Sequence, residues 1–405
     1  MNPTVRIQLS VMMFIQFFVW GVWFVTLGTY LGKEGLDFSG KAIGLAYSTT
    51  NWAAIISPFI VGMIADRFFS AEKVMGLLHL TGAAILLYLS TIVDPRQFFF
   101  VAFAYALCYM PTLALVNAIS FHQMEDPGKQ FPGIRVLGTL GWIIAGFVVS
   151  LLKVENTNMP IKLAAGASLL MGLYCFTLPN TPPKSHGKKV TVSDVLCLDA
   201  LRLLKDWSFS VFIICSLLIC IPLAFYYNYT NNFLNAHDVS NAAAKQTMGQ
   251  MSEVFFMLVM PFFFARLGVK KMLLVGMVAW AVRYFFFAYG TPTSLIWMWY
   301  IGILLHGICY DFFFVTGQLY VDKKAPEDVR ASAQGFIGLV TYGAGMAIGS
   351  SVSGYIVDYY ELAEPMGKIA HNWTGIWLVP GIMAAVITVI FLLFFHENNK
   401  KKTDA

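Results

Sequence analysis

Twelve apolar stretches, each close to 20 residues long and bounded by charges or turn formers, run through this chain. They lie near 9–31, 42–65, 74–92, 97–120, 132–152, 161–178, 208–233, 246–265, 272–290, 294–321, 331–357 and 375–395. An α-helix rises about 1.5 Å per residue, so roughly 20 apolar residues cross the ~30 Å hydrocarbon core of a bilayer. In lipid every backbone N–H and C=O must find a partner inside the protein, which leaves helices and closed barrels. These stretches lack the period-two alternation of barrel strands, so helices are expected. Composition agrees, because charged residues are 12% of the 405, against about 25% in soluble domains. So few charges cannot cover a soluble fold, whereas a lipid-facing surface needs none. The predicted fold class is an all-α polytopic membrane protein with twelve transmembrane helices.

The longest hydrophilic break, 179–206, divides the spans six and six. It predicts an N-terminal six-helix bundle over 1–178, a cytoplasmic inter-bundle loop over 179–206, a C-terminal six-helix bundle over 207–397 and a tail over 398–405. Within the loop, Leu196, Ala200, Leu203 and Trp207 fall on one helical face and predict a short amphipathic helix on the membrane surface. Placing both termini in the cytoplasm puts 18 of the 27 Lys and Arg residues inside and 7 outside, as the positive-inside rule requires. The first apolar stretch is too long for the core of a signal peptide and reads as a span. The net charge of +5 then reflects loop placement and gives no nucleic-acid signal. The six cysteines include no CxxC pair and read as small hydrophobes. There is no HExxH, P-loop or Ser/His/Asp constellation, so nothing points to an enzyme, a metal or an organic cofactor. Nothing points to oligomerisation either, and a monomer is the default.

The two remaining basic residues, Arg135 and Arg283, lie inside spans, as do the carboxylates Glu253 and Asp311. A charge at the bilayer centre costs about 2.5–3.5 kcal/mol even on the lenient insertion scale, so these four must face the bundle interior, pair, or line a wet cavity. Glu253 shares a face of span eight with Gln250. Asp311, near the middle of span ten, has His306, Tyr310 and Phe314 around it and suits proton coupling or gating. Arg135 sits one turn inside span five, with Thr139 and Trp142 on its face. Arg283 reads better as a structural ion pair with a carboxylate of span eight or ten. Gln16, Trp20 and Trp23 align on span one, and Tyr226, Tyr227, Asn228 and Asn231 make span seven unusually polar. Aromatic faces set among amides and carboxylates suit a flat, polar, mostly uncharged ligand.

Gly62, Asp66 and Arg67, followed by Lys73, resemble the loop motif between helices two and three of the major facilitator superfamily. In that family the acid and the arginine tie the cytoplasmic gate to neighbouring helix ends, which implies gating roles for Asp66 and Arg67 with Arg330 as a partner. The 8–9 loop, with Arg266, Lys270 and Lys271, looks like a degraded second copy, as a duplicated six-helix unit would carry. A closer resemblance is to the nucleoside–proton symporter family of bacterial permeases. It is carried end to end by Gln16, Trp20 and Trp23; Tyr109 and Asn117; Phe131, Pro132 and Arg135; Ser252 and Glu253; Trp280 and Arg283; Asp311; and Arg330, Gln334 and Gly335.

The resemblance implies proton-coupled nucleoside uptake across the bacterial inner membrane by alternating access. The only coupling species is the proton, and the partners are a small-molecule nucleoside and the lipid bilayer. It implies substrate-binding roles for Arg135, Thr139, Trp142, Tyr227, Asn228, Gln250, Glu253, His306 and Tyr310, and proton coupling through Asp311 or Glu253. The sequence departs from the family's best-known member at Trp142, where that member has Phe, and at His306, where it has Tyr. On span seven, Ala224 and Tyr227 stand where Gln and Asn are expected. A symporter for a sugar or another small polar metabolite, and a drug–proton antiporter, are the alternative readings.

Overall fold

The computed structural model describes residues 2–60, 69–182, 197–366 and 368–396. Within them run twelve long helical segments: α1 (Pro3–Leu31), α2 (Gly40–Ile60), α3 (Ala71–Leu89), α4 (Pro95–His122), α5 (Pro127–Leu152), α6 (Met159–Cys175), α7 (Trp207–Ala236), α8 (242–267), α9 (269–289), α10 (Ile296–Lys324), α11 (330–359) and α12 (Trp373–Phe394). Among the described residues each of the twelve predicted spans runs along a helix, with 61–65 of the second outside them, and the protein is an all-α membrane protein.

The helix ends follow local chemistry. Asn2 and Asp94 cap α1 and α4 through their side-chain oxygens, with proline at the first helical turn of each. Such a proline lacks the N–H that would be orphaned there in any case. α8 and α9 run on from one another with a single break at Gly268, whose φ of 66° is a left-handed conformation open to glycine. Free of lipid-driven hydrophobic attraction, such helices associate through close packing and hydrogen bonds. Leu9, Met12 and Met13 of α1 pack with Met75 of α3, Ile119 of α4, Ile134 of α5 and Met171 of α6 in one core. Met260, Met272 and Phe312 make a smaller one across α8, α9 and α10.

Several features were not expected. The α1 ladder is interrupted between Phe24 and Leu27. Helix α5 starts at Pro127 and carries Pro132 inside it, so Arg135 lies more than two turns from the helix start, where one was expected. The earlier start is set by Asp126, whose carboxylate accepts from Lys129 N, and by Pro127 at the first turn. Helix α10 carries a π-helical segment at Asp311–Val315, and α11 one at Leu339–Gly345. The amphipathic segment is a 3-10 stretch, Leu198–Lys205, with Ala200 buried; Trp207 instead opens α7, and Leu196 lies outside the described residues. A hairpin, β1 (Glu361–Met366) with antiparallel β2 (Ile369–His371), fills the loop between α11 and α12, where Lys33 pairs with Glu361 at 3.0 Å.

Packing gathers the described residues into two compact units. One comprises Met1–Thr191, Ala224–Thr247 and Ala347–Asn372; the other comprises Val192–Leu223, Met248–Met346 and Trp373–Ala405.

Candidate functional site

In the first unit, helices α1 and α5 touch almost backbone to backbone. A side chain at Gly21 would come within 3.1 Å of Trp142, and one at Gly141 would collide with Phe14 O. This approach sets Trp142 edge-on against Trp20 at 5.5 Å and against Phe24 at 6.4 Å. Tyr227 of α7 lies 6.5 Å from Phe24, so an aromatic cluster forms from Trp20, Phe24, Trp142 and Tyr227. The half-buried Arg135 lays its guanidinium 4.2 Å over the Phe17 ring, one turn from the half-buried Thr139. Phe24 was not singled out from the sequence, because one phenylalanine among 35 gives no signal.

Behind this cluster the polar groups are engaged with one another. Gln16 is fully buried and donates to Thr112 Oγ1 at 2.7 Å, while its Oε1 lies 2.9 Å from His79 Nε2. The other nitrogen of His79 is 3.0 Å from Ser168 Oγ, and the Tyr109 hydroxyl donates to the Gln16 carbonyl at 2.6 Å. Gln16 thus braces α1 against α3 and α4, and Trp23 packs edge-on to Tyr105. Of the aligned trio on span one, Trp20 joins the aromatic cluster. Asn228 is buried as well, its amide donating to Ser353 Oγ at 3.3 Å.

In the second unit, Glu253 of α8 and His306 of α10 approach to 4.0 Å, with His306 buried and the Glu253 side chain 21% exposed. That exposure leaves Glu253 able to meet a ligand. Gln250, one turn earlier, is half-buried. The approach of α8 to α10 is as close as glycine allows, since a side chain at Gly307 would strike Ser252 O at 2.5 Å. Asp311 is fully buried, and neither of its carboxylate oxygens has a hydrogen-bond partner among the described residues. It is the first residue of the π segment of α10, a local widening that recurs at functional positions. The Tyr310 ring lies tilted against His306 at 5.8 Å and against Phe314 at 5.2 Å. Its hydroxyl accepts from the Tyr342 hydroxyl of α11 at 2.6 Å. Arg283 is fully buried, and its Nε donates to Gly302 O of α10 at 2.9 Å.

A profile described as nucleoside H+ symporter matches residues 2–400. This chain belongs to that family. The xanthosine permease of Escherichia coli strain K12 is 36% identical over 411 residues, covering 98% of this chain and 97% of the relative. The transporter YegT of the same strain is 44% identical over 406 residues, covering 98% of this chain and 95% of the relative. The crystal structure of a point variant of the nucleoside transporter NupG superposes with a TM-score of 0.91 at 33% identity, covering 97% of this chain and 100% of that one.

The protein is thus a multi-pass transporter of the major facilitator type, and its function is proton-coupled nucleoside uptake. Membership favours the nucleoside reading over the sugar and drug alternatives. The symporter's expected gating residues divide. Asp66 and Arg67 lie outside the described residues. Arg330, at the start of α11, places its Nε 3.6 Å from Asp322 Oδ1, with both side chains about half exposed. An exposed pair of this kind contributes about 0–1 kcal/mol.

Proposed function

We propose that nucleoside uptake proceeds by alternating access in the bacterial inner membrane, with both termini in the cytoplasm. Orientation rests on the placement of Lys and Arg in the loops. In this reading Trp142 and Tyr227 offer faces for the base, and Glu253 with Gln250 accepts from and donates to ribose hydroxyls or the base edge. Arg135, Thr139, His306 and Tyr310 complete the polar contacts, and Asn228 acts through the packing of α7.

Asp311 is the proton carrier, and the observation that carries this assignment is its burial without a hydrogen-bond partner among the described residues. An ionised carboxylate there costs several kcal/mol, and taking up a proton removes the cost. A group whose charge is tolerated in one conformation and not in the other couples proton binding to the conformational equilibrium. Arginine is always charged and cannot do this.

The test is uptake of radiolabelled nucleosides into proteoliposomes. Acidifying the outside should drive accumulation above the external concentration, and a protonophore should collapse it. Saturable uptake indifferent to both treatments would replace symport by facilitated diffusion.

A further inference from the structure

We propose that Glu155 and Asp358 are further functional residues of transport: each caps, across the packing interface, the first turn of a helix from the other sequence half, and together they form a latch. The latch holds shut the side of the protein that bears the odd-numbered loops.

The first four N–H groups of a helix have no intrahelical acceptor, and normally a side chain just before the helix takes one of them. Helix α8 breaks this pattern, since the preceding Asn241 has a left-handed φ of 55°. The acceptors come instead from the end of α5 and the loop after it. Glu155, buried, accepts from Ala243 N at 3.1 Å, and Ser150 Oγ accepts from Ala244 N at 2.9 Å while donating to Glu155 at 2.8 Å. The other oxygen of Glu155 accepts from the amides of Asn231 at 3.0 Å and Asn235 at 2.9 Å, both on α7.

Helix α2 is capped the same way. Its own Ser39 takes only Ala42 N, at 3.3 Å, while Asp358 at the end of α11 accepts from Gly40 N and, at 3.0 Å, from Lys41 N. The Tyr229 hydroxyl of α7 donates to Gly40 O at 2.8 Å. No side chain fits between the two helices, because a Cβ on Gly354 would lie 2.3 Å from Gly40 O.

The two caps are one contact made twice. Helix α5 reaches α8, and α11 reaches α2, so advancing each helix by six turns the first contact into the second. A duplicated six-helix transporter predicts this relation for a joint that must open symmetrically. The joint is also why the ends of α7, α8 and α11 pack in one compact unit with α1–α6. A carboxylate at a helix N-terminus satisfies orphan donors and the helix dipole together. Leaving it means exposing a charge and several N–H groups to water, which is possible only when that side opens.

The inference rests on the alternating-access reading. Spin labels at the exposed positions Arg96 and Thr293, in the full chain with its six cysteines replaced and reconstituted in nanodiscs, report the distance between odd-numbered loops of the two halves. Glu155→Gln and Asp358→Asn keep size and shape but convert an acceptor oxygen to a donor amide. Each should raise the ratio of the long-distance to the short-distance population about tenfold, and the double variant by more, since a bond to a charged acceptor is worth about that much. A structural role alone would lower thermal stability and leave the distances unchanged. A wild-type distribution that moves with nucleoside or pH while those of folded variants coincide with it refutes the latch alone. A wild-type distribution that never moves refutes alternating access, and the latch with it.

Discussion

The His79 cluster of the first unit and Asp311 of the second are buried under opposite conditions. Around α1, α3, α4 and α6, Gln16, His79, Thr112 and Ser168 form a closed network in which each finds a partner. The helices carrying His79, Thr112 and Ser168 have no π segment. In α8 and α10, by contrast, Glu253 and His306 sit 4.0 Å apart, Asp311 is buried with no hydrogen-bond partner for its oxygens among the described residues, and the helix widens at that residue. A satisfied network has one arrangement and makes a rigid wall. An unsatisfied carboxylate beside an irregular turn has two states to choose between. The contrast teaches that burial alone does not mark function in this protein, and that a buried carboxylate whose oxygens lack a partner among the described residues, at an irregular turn, is the stronger mark. The proposed reading gives recognition by stacking to the first unit, and charge reading with coupling to the second.

The most severe test of that division is Asp311→Asn. Asparagine keeps the shape but cannot release a proton, so gradient-driven accumulation should vanish while nucleoside exchange and binding persist. Uptake and counterflow in the same proteoliposomes measure both. Accumulation at the wild-type level would move the coupling role elsewhere in the second unit, with Glu253 first in line. Glu253→Gln comes next. Losing a charged hydrogen-bond partner costs about 1.5–3 kcal/mol, or roughly ten- to a hundredfold in Kd by calorimetry. Normal binding with lost accumulation would exchange the two roles.

Much of this is legible in the sequence. Apolar length gave the helices, loop charges gave the expected sides, and the cost of intramembrane charge singled out Glu253, Asp311, Arg135 and Arg283. What stayed hidden depends on direction or on distant partners. Periodicity placed Gln16 on a face with Trp20, yet the neighbour on that face is His79, 63 residues away. Glu155 reads as an ordinary loop acid, because its partners Ala243 and Asn231 belong to the other half of the chain. The π segments leave no mark in a pattern of apolar residues, since they shift hydrogen bonds and leave hydropathy unchanged.

A smaller effect tests the aromatic side of the comparison. Trp142→Ala removes a stacking face, which for a base is worth about 1–3 kcal/mol, so affinity should fall roughly tenfold. Trp142→Phe retains a ring against Trp20 and Phe24 and should recover most of it. If alanine binds as wild type does, the aromatic cluster is packing, and recognition belongs to the second unit alone.

The smallest effect is expected at Tyr342, and it separates a positioning role from a direct one. Its hydroxyl donates to Tyr310 at 2.6 Å, and its ring stacks on Phe314 at 5.3 Å, between the π segments of α10 and α11. Tyr342→Phe preserves the stack and deletes one neutral hydrogen bond, worth about 0.5–1.5 kcal/mol, so nucleoside affinity should fall about two- to tenfold. If Tyr342 acts only by aiming the Tyr310 hydroxyl at the substrate, Tyr310→Phe should cost at least as much, and the double variant should cost no more than Tyr310→Phe alone. Residues that act as one unit are non-additive in this way, whereas independent contacts add within about 0.5 kcal/mol. Calorimetric Kd values for the four proteins of the cycle decide the matter. Additive losses would make Tyr342 a contact in its own right, and they would extend the charge-reading surface of the second unit from α8 and α10 onto α11.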